Sequence, residues 1–218
     1  MKLIKIQSQT PKTPYAENWS FIIGHTLNNL DFYNLSSILI EKESYIKRLP
    51  LSLDAEGKFN DGGTKLGKNS TTSRFTSFNL LSWDHSEIRK IKNIIRENVI
   101  EYNSKLNHPV PDLWIQCWYN VLRFGQKIST HQHSMSVDGY LSGHFDVQCN
   151  DTYTAYIIPK FQLGKPEFVK IDNNPGNLTI FPSNIYHFTS RHLSFSPRIT
   201  IAFDISTKQI NQNYIRLN

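Results

Sequence analysis

Apolar residues recur at helical spacing between Asp31 and Leu49, at Phe32, Leu35, Ile38, Leu39, Tyr45 and Ile46. That period predicts a helix, with Asp31 as its N-cap and Pro50 as its stop. A stronger stripe runs from Asp84 to Leu106, where Ile88, Ile91, Ile95, Tyr102 and Leu106 share one face and the charged residues take the other. Between the two, Lys58 to Ser73 is rich in Gly, Asn, Ser and Thr without apolar periodicity. It reads as a loop, one that could cover a site.

From Trp114 onward the period changes from helical to two. Strands are expected at Ile115–Leu122, Ile128–His133, Gly139–Gln148, Tyr153–Ile158, Phe168–Ile171, Asn177–Phe181, Tyr186–Ser190 and Ile199–Ile205, punctuated by Gly, Pro and Asn. Short strands at this spacing argue a jelly roll or sandwich. The fold class is therefore mainly β with N-terminal helices. One domain over residues 1–218 is expected, with 1–113 as a helical and loop layer, 114–205 as the β core and 206–218 as a tail. No repeat and no glycine-rich phosphate loop is present, which argues against nucleotide-cofactor folds.

Composition narrows the class. The 218 residues are 39% hydrophobic and 12% aromatic, a globular balance. No apolar run approaches the roughly 20 residues a membrane helix needs, and Met1 to Gln7 lacks the features of a secretory signal. Cys117 and Cys149 are the only cysteines, too few for a disulfide scaffold or a cysteine-based zinc site. A cytoplasmic protein, of the cell or of an infected host, is expected. The formal charge of +6 invites a nucleic-acid reading. However, the one dense basic cluster, Arg89, Lys90, Lys92 and Arg96, lies on a predicted helix as a solvated face, so no nucleic-acid partner is expected.

The chemistry gathers at Thr130-His131-Gln132-His133. On an extended segment, side chains two apart point to one side, so His131 and His133 form a pair. His187 follows in a later strand, and Arg198 stands eleven residues beyond it. Arg198 and Thr200, also two apart, place a guanidinium beside a hydroxyl, a grip for a carboxylate. Histidines on one face with positions left open suit non-haem Fe(II). His25, His85, His108 and His192 read as ordinary hydrogen-bonded residues.

These motifs, in this order, resemble the 2-oxoglutarate/Fe(II) oxygenase superfamily over about residues 114–205, and within it a prolyl-hydroxylase-like group frequent in bacterial and phage genomes. The likeness rests on His131-Gln132-His133, Ser142-Gly143, the run from Gly176 through Phe181-Pro182 to His187, and Arg198-Ile199-Thr200. It implies a double-stranded β-helix of cupin-like form. The cofactors implied are Fe(II) and 2-oxoglutarate, the latter held by Arg198 and Thr200. The implied activity is that of a hydroxylase, an oxidoreductase of the dioxygenase type. It would use O2 to oxidise a C–H bond of a peptide or small molecule and release succinate and CO2.

Two departures from the family pattern follow. His133 stands where an Asp or Glu is commonest, and three neutral imidazoles leave the metal charge uncompensated. Asp146 stands where relatives often carry a tyrosine, and an ionised carboxylate there would repel the co-substrate. The second ligand therefore stays open between His133, Asp146 and Asp138, with His144, Asp146 and His187 as a rival triad. Three imidazoles at their ordinary pKa of about 6.5 would make metal affinity fall steeply below that pH. Two other functions fit the same residues. One is a non-catalytic jelly-roll binding or structural protein; the other is a three-histidine dioxygenase independent of 2-oxoglutarate.

Overall fold

A computed structural model describes residues 1–7, 20–133, 136–158 and 167–218. Among the described residues, ten strands form two antiparallel sheets, with two α-helices packed on the larger one. The strands are β1 (Lys2–Gln7), β2 (Ser20–Leu27), β3 (Trp114–Leu122), β4 (Gly139–Gln148), β5 (Tyr153–Ile158), β6 (Glu167–Asp172), β7 (Asn177–Pro182), β8 (His187–Thr189), β9 (Arg198–Ser206) and β10 (Ile215–Arg216). The helices are α1 (Phe32–Ile46) and α2 (Ser86–Lys105). The seven-stranded sheet runs β1-β2-β7-β4-β9-β3-β10, and the three-stranded sheet runs β6-β5-β8. A mainly β protein with helices before the core is what the periodicity predicted.

The two helices form where their stripes were read. Asp31 caps α1 by accepting from the Asn34 amide at 3.0 Å. At α2 the cap is His85, whose ring nitrogen accepts from the Glu87 amide at 3.3 Å, while Asp84 pairs in solvent with Arg89. Ile88, Ile91, Ile95, Val99 and Tyr102 are buried against the large sheet together with Leu35 and Leu39 of α1. Arg89, Lys90 and Arg96 lie on the exposed face of α2. Among the described residues, no helix is long and apolar enough to cross a membrane.

The phase of the central strands decides where the site lies. On β3, β4 and β9 the odd positions face the helices: Ile115, Cys117, Tyr119 and Val121, then Phe145 and Val147, then Ile199, Ile201, Phe203 and Ile205. Even positions face the small sheet, and they are polar yet buried: Gln116 and Asn120, Ser142, His144 and Asp146, Arg198 and Thr200. The registers align them in rows, Asn120 and Asp146 both opposite Thr200, Gln116 and Ser142 both opposite Asp204. A second apolar cluster, including Ile23, Tyr156, Phe181 and Ile185, packs between the sheets.

Three features differ from the sequence reading. The segment 1–113 contributes two strands, β1 and β2, with β2 pairing onto β7 of the large sheet. Within the tail, β10 pairs with the start of β3. Ile128–His133 is not a continuous strand but one bridge, His131 opposite His187. Its backbone groups are divided among four partners: Ile128 O accepts from Thr189 N–H, Ser129 N–H donates to Thr64 O, His131 pairs with His187, and His133 N–H donates to Ser183 O. No single neighbour offers it a ladder.

Candidate metal and 2-oxoglutarate site

The bridge between His131 and His187 is reciprocal, with N–H···O distances of 3.0 and 2.9 Å. Directly opposed residues of an antiparallel pair bring their side chains together. The two rings stand 4.3 Å apart, centre to centre, and His133 lies 5.3 Å from His131 and 5.0 Å from His187. One ligand atom from each of the three lies within 4.8 Å of the others. Among the described residues this is the group that converges as a metal site.

The other ring nitrogens are already committed. Nδ1 lies 2.9 Å from Ser129 O in His131 and 3.0 Å from Ile185 O in His187. In His133 it lies 2.5 Å from Asp204 Oδ1. Each acceptor calls for an Nδ1–H, which leaves Nε2 with its lone pair free on all three rings. Aromatic side chains wall the cluster: Trp118 lies 5.7 Å from His133, and Phe181 lies 4.8 Å and Tyr156 5.7 Å from His187. Burial, with His133 beside it, pushes the pKa of His131 down to about 4. Burial, then the neighbouring histidines, hold His187 well below the ordinary imidazole value. Both are poised as neutral donors.

The carboxylates considered as second ligand lie elsewhere. Asp146 is fully buried, and the Asn173 amide donates to both its oxygens at 3.3 and 3.1 Å. His144 uses Nε2 on the Tyr156 hydroxyl at 2.8 Å, while its Nδ1 lies 3.3 Å from Asp146. Asp138 pairs with Lys208 at 3.0 Å. Neither Asp146 nor Asp138 joins the converging group.

The cavity beside the histidines has a volume of about 370 Å³, within the usual range for small-ligand sites, and Arg198 and Thr200 also line it. Arg198 is 1% exposed. Its Nε donates to Thr152 Oγ1 at 3.2 Å and its Nη2 to Asn173 Oδ1 at 3.1 Å, while Nη1 has no partner. Asn173 therefore stands between Arg198 and Asp146, bonding each with a different end of its amide. That arrangement separates the acid from the clamp, so the repulsion expected from Asp146 is mediated by a neutral group. Asn120 approaches Thr200 Oγ1 at 3.5 Å. Arg123 is bound to Glu43 and Arg191 to the Gly125 carbonyl.

The loop expected over a site does line this cavity, at Asn60 to Thr64. Gly63 has φ +76, and a Cβ there would come 3.2 Å from that of His131. Sequence reasoning missed Asn173, Asn120 and Asp204. A signal for Asp204 existed, since it continues the even-numbered face already marked by Arg198 and Thr200. Of the other histidines, His25 lies 3.3 Å from Thr179 Oγ1, and His192 lies 2.6 Å from Ser196 O.

Residues 116–204 match the family described as "Putative 2OG-Fe(II) oxygenase". No curated protein matches the chain. Among solved structures, a Pseudomonas putida prolyl-4-hydroxylase is similar at 10% identity and TM-score 0.56, over 84% of this chain and 92% of that one. A prolyl hydroxylase from Trichoplax adhaerens, in complex with a hypoxia-inducible-factor peptide fragment, gives 13% identity and TM-score 0.54 over 86% and 83%. A non-haem α-ketoglutarate-dependent carbocyclase of nogalamycin biosynthesis gives 8% and 0.54 over 84% and 79%. At these identities the likeness is one of fold; the family match adds Fe(II) and 2-oxoglutarate as cofactors. The donor set fits both groups, with three free imidazole nitrogens for the metal and an unpartnered guanidinium N–H for a carboxylate.

Proposed function

We propose that this chain, a 2-oxoglutarate-dependent dioxygenase of the 2OG-Fe(II) oxygenase superfamily, hydroxylates a C–H bond of a peptide or small molecule. We assign His131, His133 and His187 as the iron ligands, and Arg198 with Thr200 as the 2-oxoglutarate clamp. The two facing sheets make a double-stranded β-helix, and residues 1–218 act as one oxygenase domain built around 114–205.

One observation carries the reading. Three imidazoles with free Nε2 atoms share a single cavity with a buried arginine whose Nη1 has no partner. Leaving a buried charged donor unsatisfied costs stability unless a ligand completes it. A carboxylate of 2-oxoglutarate is such a ligand, and a three-histidine dioxygenase that dispenses with it would have no use for Arg198.

When bound, iron and 2-oxoglutarate supply the oxidation, in which one atom of O2 enters the substrate as hydroxyl and the other enters succinate as CO2 leaves. The protein's own groups do the rest. Backbone carbonyls and Asp204 hold the Nδ1 protons, so the rings cannot rotate their lone pairs away from the common centre. Arg198 and Thr200 orient the co-substrate by charge-assisted hydrogen bonds. Trp118, Phe181 and Tyr156 keep water from the cluster.

The test is succinate release by purified protein supplied with Fe(II), 2-oxoglutarate and O2, with His187→Ala as control. Succinate formation that requires His187 supports the reading. Oxygen consumption without 2-oxoglutarate would point to a three-histidine dioxygenase. Metal binding with no turnover across a panel of peptides and metabolites would favour a binding role for the jelly roll.

A further inference from the structure

We infer that Asp204 is a positioning residue of the iron site, supplying through His133 the negative charge that three neutral imidazoles lack. The inference rests on the ligand assignment proposed above. His131 and His187 give their Nδ1–H to neutral carbonyls, those of Ser129 and Ile185. His133 gives its own to a carboxylate, with Nδ1 and Oδ1 2.5 Å apart. The same Oδ1 accepts from Ser142 Oγ at 2.7 Å, and Ser142 lies 3.0 Å from Ser183 Oγ. Asp204 is thus fixed in place, opposite Ser142 on one neighbouring strand and Gln116 on the other.

Burial makes the contact matter. The side chains of His133 and Asp204 are 6% and 15% exposed, and Trp118 and Phe181 pack on the ring at 5.7 and 5.9 Å. A charge facing an apolar wall is weakly screened. A carboxylate on Nδ1–H makes the opposite nitrogen more basic and draws the ring towards imidazolate. It also lowers the net charge of the loaded site by one without taking a coordination position. The carboxylate missing from the ligand set is in this way restored one bond further out.

The test uses the full chain with Co(II) as probe. Asp204→Asn keeps the shape and the acceptor oxygen but removes the charge. It should weaken Co(II) binding in competition with a chelator about 10- to 100-fold. It should also shift the visible Co(II) absorption bands, which a purely structural role for Asp204 would not move. Unchanged affinity and spectrum in Asp204→Asn, with binding lost in His187→Ala, would sink this inference and leave the ligand assignment standing. Tight Co(II) binding in His187→Ala would instead sink the assignment. A measurement on wild-type protein guards against a variant that fails to fold. Nitrogen NMR of the Zn(II)-loaded protein should show His133 protonated at Nδ1 and metal-bound at Nε2, and metal on Nδ1 would overturn the proposal.

Discussion

Acid should destabilise the metal-free protein through its histidine cluster. His131 and His187 are held below the ordinary imidazole value by burial and by their neighbours, His131 at about 4. In the unfolded chain each takes up a proton near pH 6.5. The folded pKa lies below the unfolded one, so between those values the unfolded chain binds more protons. Stability is therefore fully present above pH 6.5 and is lost progressively as pH falls towards 4. For His131 the drop from 6.5 to about 4 corresponds to at most roughly 3.5 kcal/mol, at about 1.4 kcal/mol per pH unit. His187 adds to it with the same sign. Urea melts of chelator-treated protein at pH 7.5, 6 and 5 would measure the slope, and His131→Asn should flatten it. Parallel losses in wild type and His131→Asn would refute the reasoning. The same shifts change what is expected of the metal. With His131 held down to about 4 and His187 well below the ordinary imidazole value, their proton competition with iron belongs at a lower pH than 6.5. The steep fall below 6.5 that ordinary imidazoles would give is not expected from these two residues.

Arg198→Ala should leave Co(II) affinity nearly intact while weakening 2-oxoglutarate binding by roughly 2–5 kcal/mol, the usual cost of truncating one side of a buried charged pair. Equal 2-oxoglutarate affinity by calorimetry in mutant and wild type would move the clamp elsewhere. Gly143→Ala should lower the melting temperature, at a cost of about 1–3 kcal/mol, because a Cβ would overlap the Phe203 ring and the Thr179 carbonyl. A melt unchanged from wild type would mean that β4 and β7 are not held this closely. Ile95→Ala, at a fully buried position beneath the large sheet, should cost about 2–5 kcal/mol in denaturant melts without altering metal affinity. A loss of metal there would mean that the helical layer shapes the site directly.

The elements legible in the sequence were those whose local pattern agreed with their final environment. Gly139–Gln148 and Tyr153–Ile158 occupy the expected residues, and in the first of them polar and apolar positions alternate between site face and helix face. The Ile stripe of α2 was legible because one partner, the large sheet, buries all of it. The bridge segment before His133 was not, because its backbone bonds go to Thr189, Thr64, His187 and Ser183, a division no period encodes. The pairing of β2 with β7, some 150 residues apart in sequence, is likewise a matter of tertiary register. Among the site residues, spacing brought His131, His133 and His187 together on paper as they stand in space. Asn173 lies between strands, where no spacing argument reaches, and its part emerges only once Arg198 and Asp146 are seen on either side of it.

The even face of β3, β4 and β9 explains how so polar a surface can be buried at all. Most of its groups are paired with one another: Asp204 with His133 and Ser142, Asp146 with Asn173, Asn120 with Thr72. Paired groups of this kind are tolerated in an interior because their desolvation is offset by hydrogen bonds. The exceptions on the face are informative. Arg198 Nη1, Trp118 Nε1, Gln116 Oε1 and His144 Nδ1 are buried without hydrogen-bond partners, and all four residues line the main cavity or the one beside it, which shares His133 and Asp204. Gln116 spends its amide nitrogen on the carbonyls of Phe75 and Phe78, so its free oxygen is fixed in orientation as an acceptor. Arg198 lies at one end of β9, opposite Leu122, and Gln116 pairs opposite Asp204 towards the other.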